Sequence, residues 1–152
     1  MKEIKGNFSG KGRRIAIVIS RFNEFISNEL LGGCLDTLSK AGVLSKDITV
    51  IWVSGSFEIP QALGKIDAKK YDAIIALGAV IRGDTPHFEF IAAELAKGVA
   101  QISLEKKRPV IFGIITSDTV EQAIERAGTK QGNKGREAAL SAIEMSDIFT
   151  QI

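Results

Sequence analysis

The chain of 152 residues has one cysteine, one histidine and three prolines. A lone Cys34 excludes an internal disulfide and any all-cysteine metal site, and it suits a reducing cytosol. With one histidine beside it, the sequence offers no ligand cluster for a metal. No charge is in marked excess: 20 basic and 18 acidic residues leave a formal net charge of +2, which gives no strong pull towards nucleic acid or a membrane surface. Long apolar runs are also missing. The longest, Ala73 to Ile81, is too short to span a bilayer as a helix. The opening residues, MKEIKGNFSGKGRR, lack the apolar centre of a signal peptide. Neither a GxxxxGK[ST] loop nor a GxGxxG fingerprint occurs, so ordinary ATP, NAD or FMN phosphate sites find little support. No repeat, low-complexity tract or linker interrupts the chain. The expectation is one soluble, cytoplasmic domain over residues 1–152.

What is present alternates between strand and helix signals. Residues 2–13 are polar, with a short alternating piece at Ile4, Gly6 and Phe8 that reads as a lone edge strand. Arg14 to Ser20 is a continuous apolar run of the kind buried on both faces of a sheet. Ile26, Leu30, Cys34, Leu38 and Ala41 share one face of a helix that Gly42 ends. Ile48 to Val53 is a second strand, followed by a short helix towards Ile66 with Pro60 in its first turn. Tyr71 to Ile81 holds a third strand, and Phe88, Ile91, Leu95, Val99 and Ile102 line the helix after it. Val110 to Ile115 is the fourth strand, and Ser117-Asp118-Thr119 caps a helix through Arg126. A glycine-rich break at 128–135 precedes a last helix expected to bury Ala138, Ala142, Met145, Phe149 and Ile152. Such alternation predicts an α/β fold: a doubly wound, three-layer αβα sandwich around a central, mostly parallel sheet, flavodoxin-like in type.

Ligands in such sheets sit outside the carboxyl ends of the strands. Three successive strands here end in chemically loaded loops: Phe22-Asn23, Ser56-Phe57-Glu58, and Arg82 through His87. Two aromatics and a carboxylate on one edge suit a flat, hydrogen-bonding heterocycle, stacked on its face and bound at its N–H edge. The stretch LGAVIRGDTPHFEF, Leu77 to Phe90, runs from a strand through a glycine corner into a helix start. Spare N–H groups and the positive end of a helix dipole make that corner a place for an anion. Pro86 fits the first helical position, where its missing N–H costs nothing. A phosphate beside the imidazole of His87 is a catalytic arrangement.

Each residue also has a plainer reading. Phe22 and Phe57 can cover the core, Glu58 can cap the next helix, and Arg126 can complement a helix dipole. Lys130, Lys134 and Arg136 can be a nucleic-acid patch or simply solvated charges. The residues by themselves reach a small-molecule site with a phosphate and a general acid/base, and no further.

Taken together, RFNEFI, GSFEIP, GAVIRGDTPHFEF and ERAGTKQGNKG closely resemble the 6,7-dimethyl-8-ribityllumazine synthase family, across nearly the whole chain. The resemblance implies condensation of 5-amino-6-ribitylaminouracil with 3,4-dihydroxy-2-butanone 4-phosphate, without a cofactor or metal. It implies that Phe22 stacks on the pyrimidine with Asn23 nearby, and that Ser56, Phe57 and Glu58 hold the ribityl chain and ring edge. Ala79, Val80 and Ile81 would meet the pyrimidine through their backbone. Asp84 and Thr85 would bind the phosphate mainly by main-chain N–H, since the Asp84 carboxylate itself repels an anion. His87 would donate and accept protons. Phe112 and Arg126 would come from a neighbouring subunit, with Arg126 on the phosphate and Lys134 near it. The family forms pentameric rings, some stacked into icosahedral shells that can enclose a riboflavin synthase partner. The uninterrupted GTKQGNKG turn resembles the shell-forming members, and the segment Ile4 to Phe8 would pair with a neighbour's sheet.

The chemistry agrees with these residues. Imine formation between an aryl amine and a ketone needs a proton shuttle, phosphate elimination needs a positive clamp, and ring closure needs two substrates held in register. Three other readings compete: a flavin-binding shell without turnover, a flavodoxin-like nucleotide or signalling module, and riboflavin synthase of the archaeal type. The intact set of Phe22, Glu58, His87 and Arg126 opposes the first. The second lacks a phosphate-binding first loop or an acidic cluster after the first strand, and the GxxIRGxTxHF pattern separates the third.

Overall fold

The computed structural model describes residues 1–129 and 132–152. Lys130 and Gln131, in the middle of the glycine-rich break, lie outside the described residues. In chain order the elements are β1 (Ile15–Ser20), α1 (Glu24–Lys40), β2 (Ile48–Val53), α2 (Ile59–Lys65), β3 (Ala73–Ile81), α3 (His87–Lys106), β4 (Val110–Ser117), α4 (Val120–Arg126) and α5 (Lys134–Gln151). Among the described residues the strands form one parallel sheet in the order β2-β1-β3-β4.

That order explains the sequence pattern. β1 and β3 are the inner strands, and both read as unbroken apolar runs because helices cover both of their faces. Ile15, Ile17 and Ile19, with Ala73, Ile75 and Leu77, face α1 and α5. Ala16 and Val18, with Ile74 and Ala76, face Ile59 and Leu63 of α2 and Leu95 and Val99 of α3. Each fully buried isoleucine or leucine contributes roughly 1.5–3 kcal/mol by leaving water. The edge strands β2 and β4 are less uniformly buried, and Trp52 and Phe112 on them are each 37% exposed. Among the described residues no helix is long and apolar enough to cross a membrane.

Three expectations are corrected. Residues 4–8 form no strand. With no strand alongside, the segment runs over α5: the Asn7 N–H donates to Asp147 at 3.0 Å, and the Gln151 amide donates to the Lys5 carbonyl at 3.2 Å. Asp147 also pairs with Arg13 at 3.2 Å. In α5 the buried face is Ala138, Ala139, Ala142, Ile143 and Ser146, while Phe149 and Ile152 are exposed and Met145 is half-buried. The close approach of α5 to α1 sets this rotation, because Gly135 lies against the Leu30 carbonyl and Gly33 against Asn133. Periodicity carries the stripe but not the last few tens of degrees. Finally, Pro86 is the residue before α3 rather than its first, and His87 opens the helix.

Candidate active site

Because β2, β1 and β3 are adjacent and parallel, their carboxyl ends bring three loops side by side. The loops enclose a cavity of about 690 Å³. Phe22 closes one side, and Ser56, Phe57 and Glu58 close another. Ala79, Val80 and Ile81, the last three residues of β3, line it with Gly83, Thr85 and His87. Phe22 is 67% and Phe57 52% exposed. Two large aromatic faces left in water around one concave site suit a flat ring between them.

Local structure fixes each contributor. Asn23 precedes α1 in a left-handed turn (φ 58°), a conformation asparagine tolerates better than most residues. Its side-chain nitrogen is buried without a hydrogen-bond partner, as are the hydroxyls of Ser20 and Ser27. Asn23 itself does not line the cavity. Ser56 to Glu58 form a 3₁₀ turn leading into α2, and Pro60 sits in the first turn of that helix. Gly55 leaves room for the Glu58 carboxylate, since a Cβ there would stand 2.9 Å from Oε2. Gly78 lies directly under the Ser20 hydroxyl, so a side chain at 78 would displace that hydroxyl at the base of the site.

His87 is exposed at the start of α3, a helix of 20 residues whose first N–H groups have no partners within it. Gly83, Asp84 and Thr85 make no backbone–backbone hydrogen bond, which leaves their N–H groups for an anion. Asp84 does not line the cavity. Four lining residues escaped sequence reasoning as site residues: Gly55, Gly83, Phe88 and Ile91. Phe88 and Ile91 carry the core-facing signal of α3, which masks their second contact, and both glycines sit beside residues that were assigned.

The remaining assigned residues lie elsewhere. Arg126 and Lys134 line a second cavity, about 310 Å³, among β4, α4 and α5, with Thr116 and Glu137. The Arg126 guanidinium donates to the Thr116 carbonyl at 2.9 Å, and Lys134 stands 3.9 Å from Glu137. Phe112 lines neither cavity and faces out from edge strand β4. The two cavities share no lining residue.

The profile of the 6,7-dimethyl-8-ribityllumazine synthase family matches residues 12–150. The chain belongs to this family. It is a transferase of riboflavin biosynthesis that condenses 5-amino-6-ribitylaminouracil with 3,4-dihydroxy-2-butanone 4-phosphate to give 6,7-dimethyl-8-ribityllumazine, phosphate and water. The fold agrees with the family: a parallel sheet sandwiched between helix layers. A lumazine synthase needs a place for an aromatic diamine and one for a phosphate ester, and the His87 cavity has surfaces of both kinds. Among the described residues no group of three or more His, Cys, Asp or Glu side chains is placed to hold a metal.

Proposed function

We propose that the His87 cavity of one subunit is completed by the Arg126–Lys134 face of a neighbour, and that lumazine formation takes place between them. Phe22 stacks on the pyrimidine beside Asn23, and Ser56, Phe57 and Glu58 hold its ribityl chain and N–H edge. Ala79, Val80 and Ile81 meet the ring through their backbone. Asp84 and Thr85 present main-chain N–H groups to the phosphate of the second substrate. His87 moves the protons of imine formation and of phosphate elimination, both within reach of an imidazole. Arg126, with Lys134, stabilises the charge that develops on the departing phosphate, and Phe112 closes the ring pocket from the partner side.

One observation carries this reading: the cationic groups expected on the phosphate line a cavity separate from that of His87. A heterologous ring brings two different faces of one chain together at every interface. The family's pentamer supplies such a ring, and its stacking into an icosahedral shell, with space for a riboflavin synthase, accords with the absence of an insertion in the sequence GTKQGNKG. The exposed outer edge of β2 suits pairing with residues 4–8 of a neighbour. One domain serves as the subunit, and the cytoplasm is the compartment most consistent with a lone free thiol.

Subunit mixing tests the shared site. His87→Ala and Arg126→Ala are each expected to be nearly inactive. Co-refolded in equal amounts, they should recover activity, because about one site in four then combines an intact His87 with an intact Arg126. Mixtures as inactive as the separate variants would place both groups in one chain's site.

A further inference from the structure

We propose that Arg82 is a positioning residue for this reaction: it braces the 83–86 corner against the first turn of α3 and so holds His87 and the anion-binding N–H groups in place. The proposal rests on the roles given above to His87 and the corner.

Arg82 follows directly on β3. Its N–H donates to the Ser117 carbonyl at 2.9 Å, adding one bond beyond the last β3–β4 pair, Ile81 with Ser117. Its side chain then reaches two ways. Nε donates to Asp118 Oδ1 at 2.8 Å, in the loop after β4, and Nη1 donates to Glu89 Oε1 at 3.0 Å, in the first turn of α3. The guanidinium carbon also stands 4.7 Å from the centre of the Phe88 ring, a cation–π contact. Two of the three contacts fall on the residues that follow His87. The Arg82–Glu89 bond therefore closes a loop that contains the whole corner and the imidazole.

The corner depends on such a brace. Gly83, Asp84 and Thr85 have no backbone hydrogen bond to hold their shape, and Gly83 carries no side chain to pack. A single exposed ion pair is worth little, but a planar fork joined to two carboxylates and stacked on a ring is a network with one geometry. The two carboxylates, Asp118 first and then Glu89, hold the Arg82 pKa above its ordinary value. Arg82 does not line the cavity, and two of its nitrogens are committed to carboxylates, so it acts through its neighbours rather than on substrate. It also neutralises two anionic groups that would otherwise stand near an incoming phosphate.

Steady-state kinetics with each substrate varied in turn tests the proposal, alongside thermal melting. Arg82→Ala should lower kcat about tenfold and raise the KM of the butanone phosphate about tenfold, since misoriented groups lose rate steeply. The KM of the pyrimidine should change less, because Phe22 and Ser56 to Glu58 sit on other loops and the Ala79 to Ile81 backbone is held by its own pairing with β4. Arg82→Lys should recover only part of the loss, as an ammonium lacks the planar fork and the face that stacks on Phe88. Asp118→Asn and Glu89→Gln should each show a smaller version, and Glu89→Gln should add little to Arg82→Ala. Wild-type kinetics in Arg82→Ala, or an equal rise in both KM values that tracks a lower melting temperature, would overturn the proposal. If Arg82→Ala fails to fold, wild-type kinetics in both Asp118→Asn and Glu89→Gln would overturn it instead. A His87→Ala control separates the two ideas. Full activity there removes the role of His87 itself, whereas a slow His87→Ala beside a normal Arg82→Ala removes the brace alone.

Discussion

Gly135→Ala isolates the contact that sets the rotation of α5. Gly135 is the second residue of that helix and is buried. A methyl group there would meet the Leu30 carbonyl at a separation no Cβ adopts, and Asn133 Oδ1 at 3.0 Å. The Leu30 carbonyl belongs to the backbone of α1 and cannot rotate away, so one helix must move bodily. Overpacking costs about 1–3 kcal/mol, and a backbone obstacle puts this site near the upper end. Alanine returns about 1 kcal/mol over glycine inside a helix. The net loss is about 2 kcal/mol, which lowers the melting temperature by about 4–8 °C for a chain of this length. Lys134 and Glu137 flank Gly135 in the second cavity, so displacement of α5 should also raise the KM of the phosphate substrate. The control is Gly32→Ala on α1, exposed and with nothing within 4 Å, which should gain roughly 0.5–1 kcal/mol. Denaturant and thermal unfolding of both variants at one protein concentration, since assembly adds to apparent stability, reads the contrast. A Gly135→Ala protein as stable as Gly32→Ala would refute the close approach.

Asp84→Ala should leave the KM of the phosphate substrate nearly unchanged, because the carboxylate does not line the cavity; a large rise would assign it a direct contact. Burial pushes the Cys34 thiol up to about 12, so the native protein should resist alkylation at pH 8 and react only when unfolded. The folded state then holds this proton more tightly than the unfolded chain. Stability should be unaffected below the ordinary thiol value of 9.0 and fall as pH rises from there towards 12, by up to about 1.4 kcal/mol per pH unit. Rapid stoichiometric labelling of the native state would contradict that burial. Light scattering should return the mass of a shell, and a mass near that of one pentamer would refute shell formation.

The strands were legible because burial on both faces demands the unbroken apolar runs seen at Ile15 to Ile19 and Ala73 to Val80. The cavity followed from them, since parallel strands deliver Phe22, Ser56 to Glu58 and His87 to one edge whatever the helices do. Phe88 and Ile91 were hidden because one helical face serves both core and site. Arg82 stood beside the corner in the sequence, yet its partners Glu89 and Asp118 lie on different elements, and nothing local announces their convergence.

The sequence by itself therefore determined the order and type of the elements and the loops that carry chemistry, while the reaction came through the family that its motifs resemble. Those depend on short-range periodicity and on residue types at fixed spacing. Only the tertiary structure decided the rotation of α5, the path of residues 4–8 over that helix, the separation of the Arg126 cavity from His87 and the brace at Arg82. Each depends on which distant backbone comes within a few ångströms of another, and a local pattern leaves that choice open.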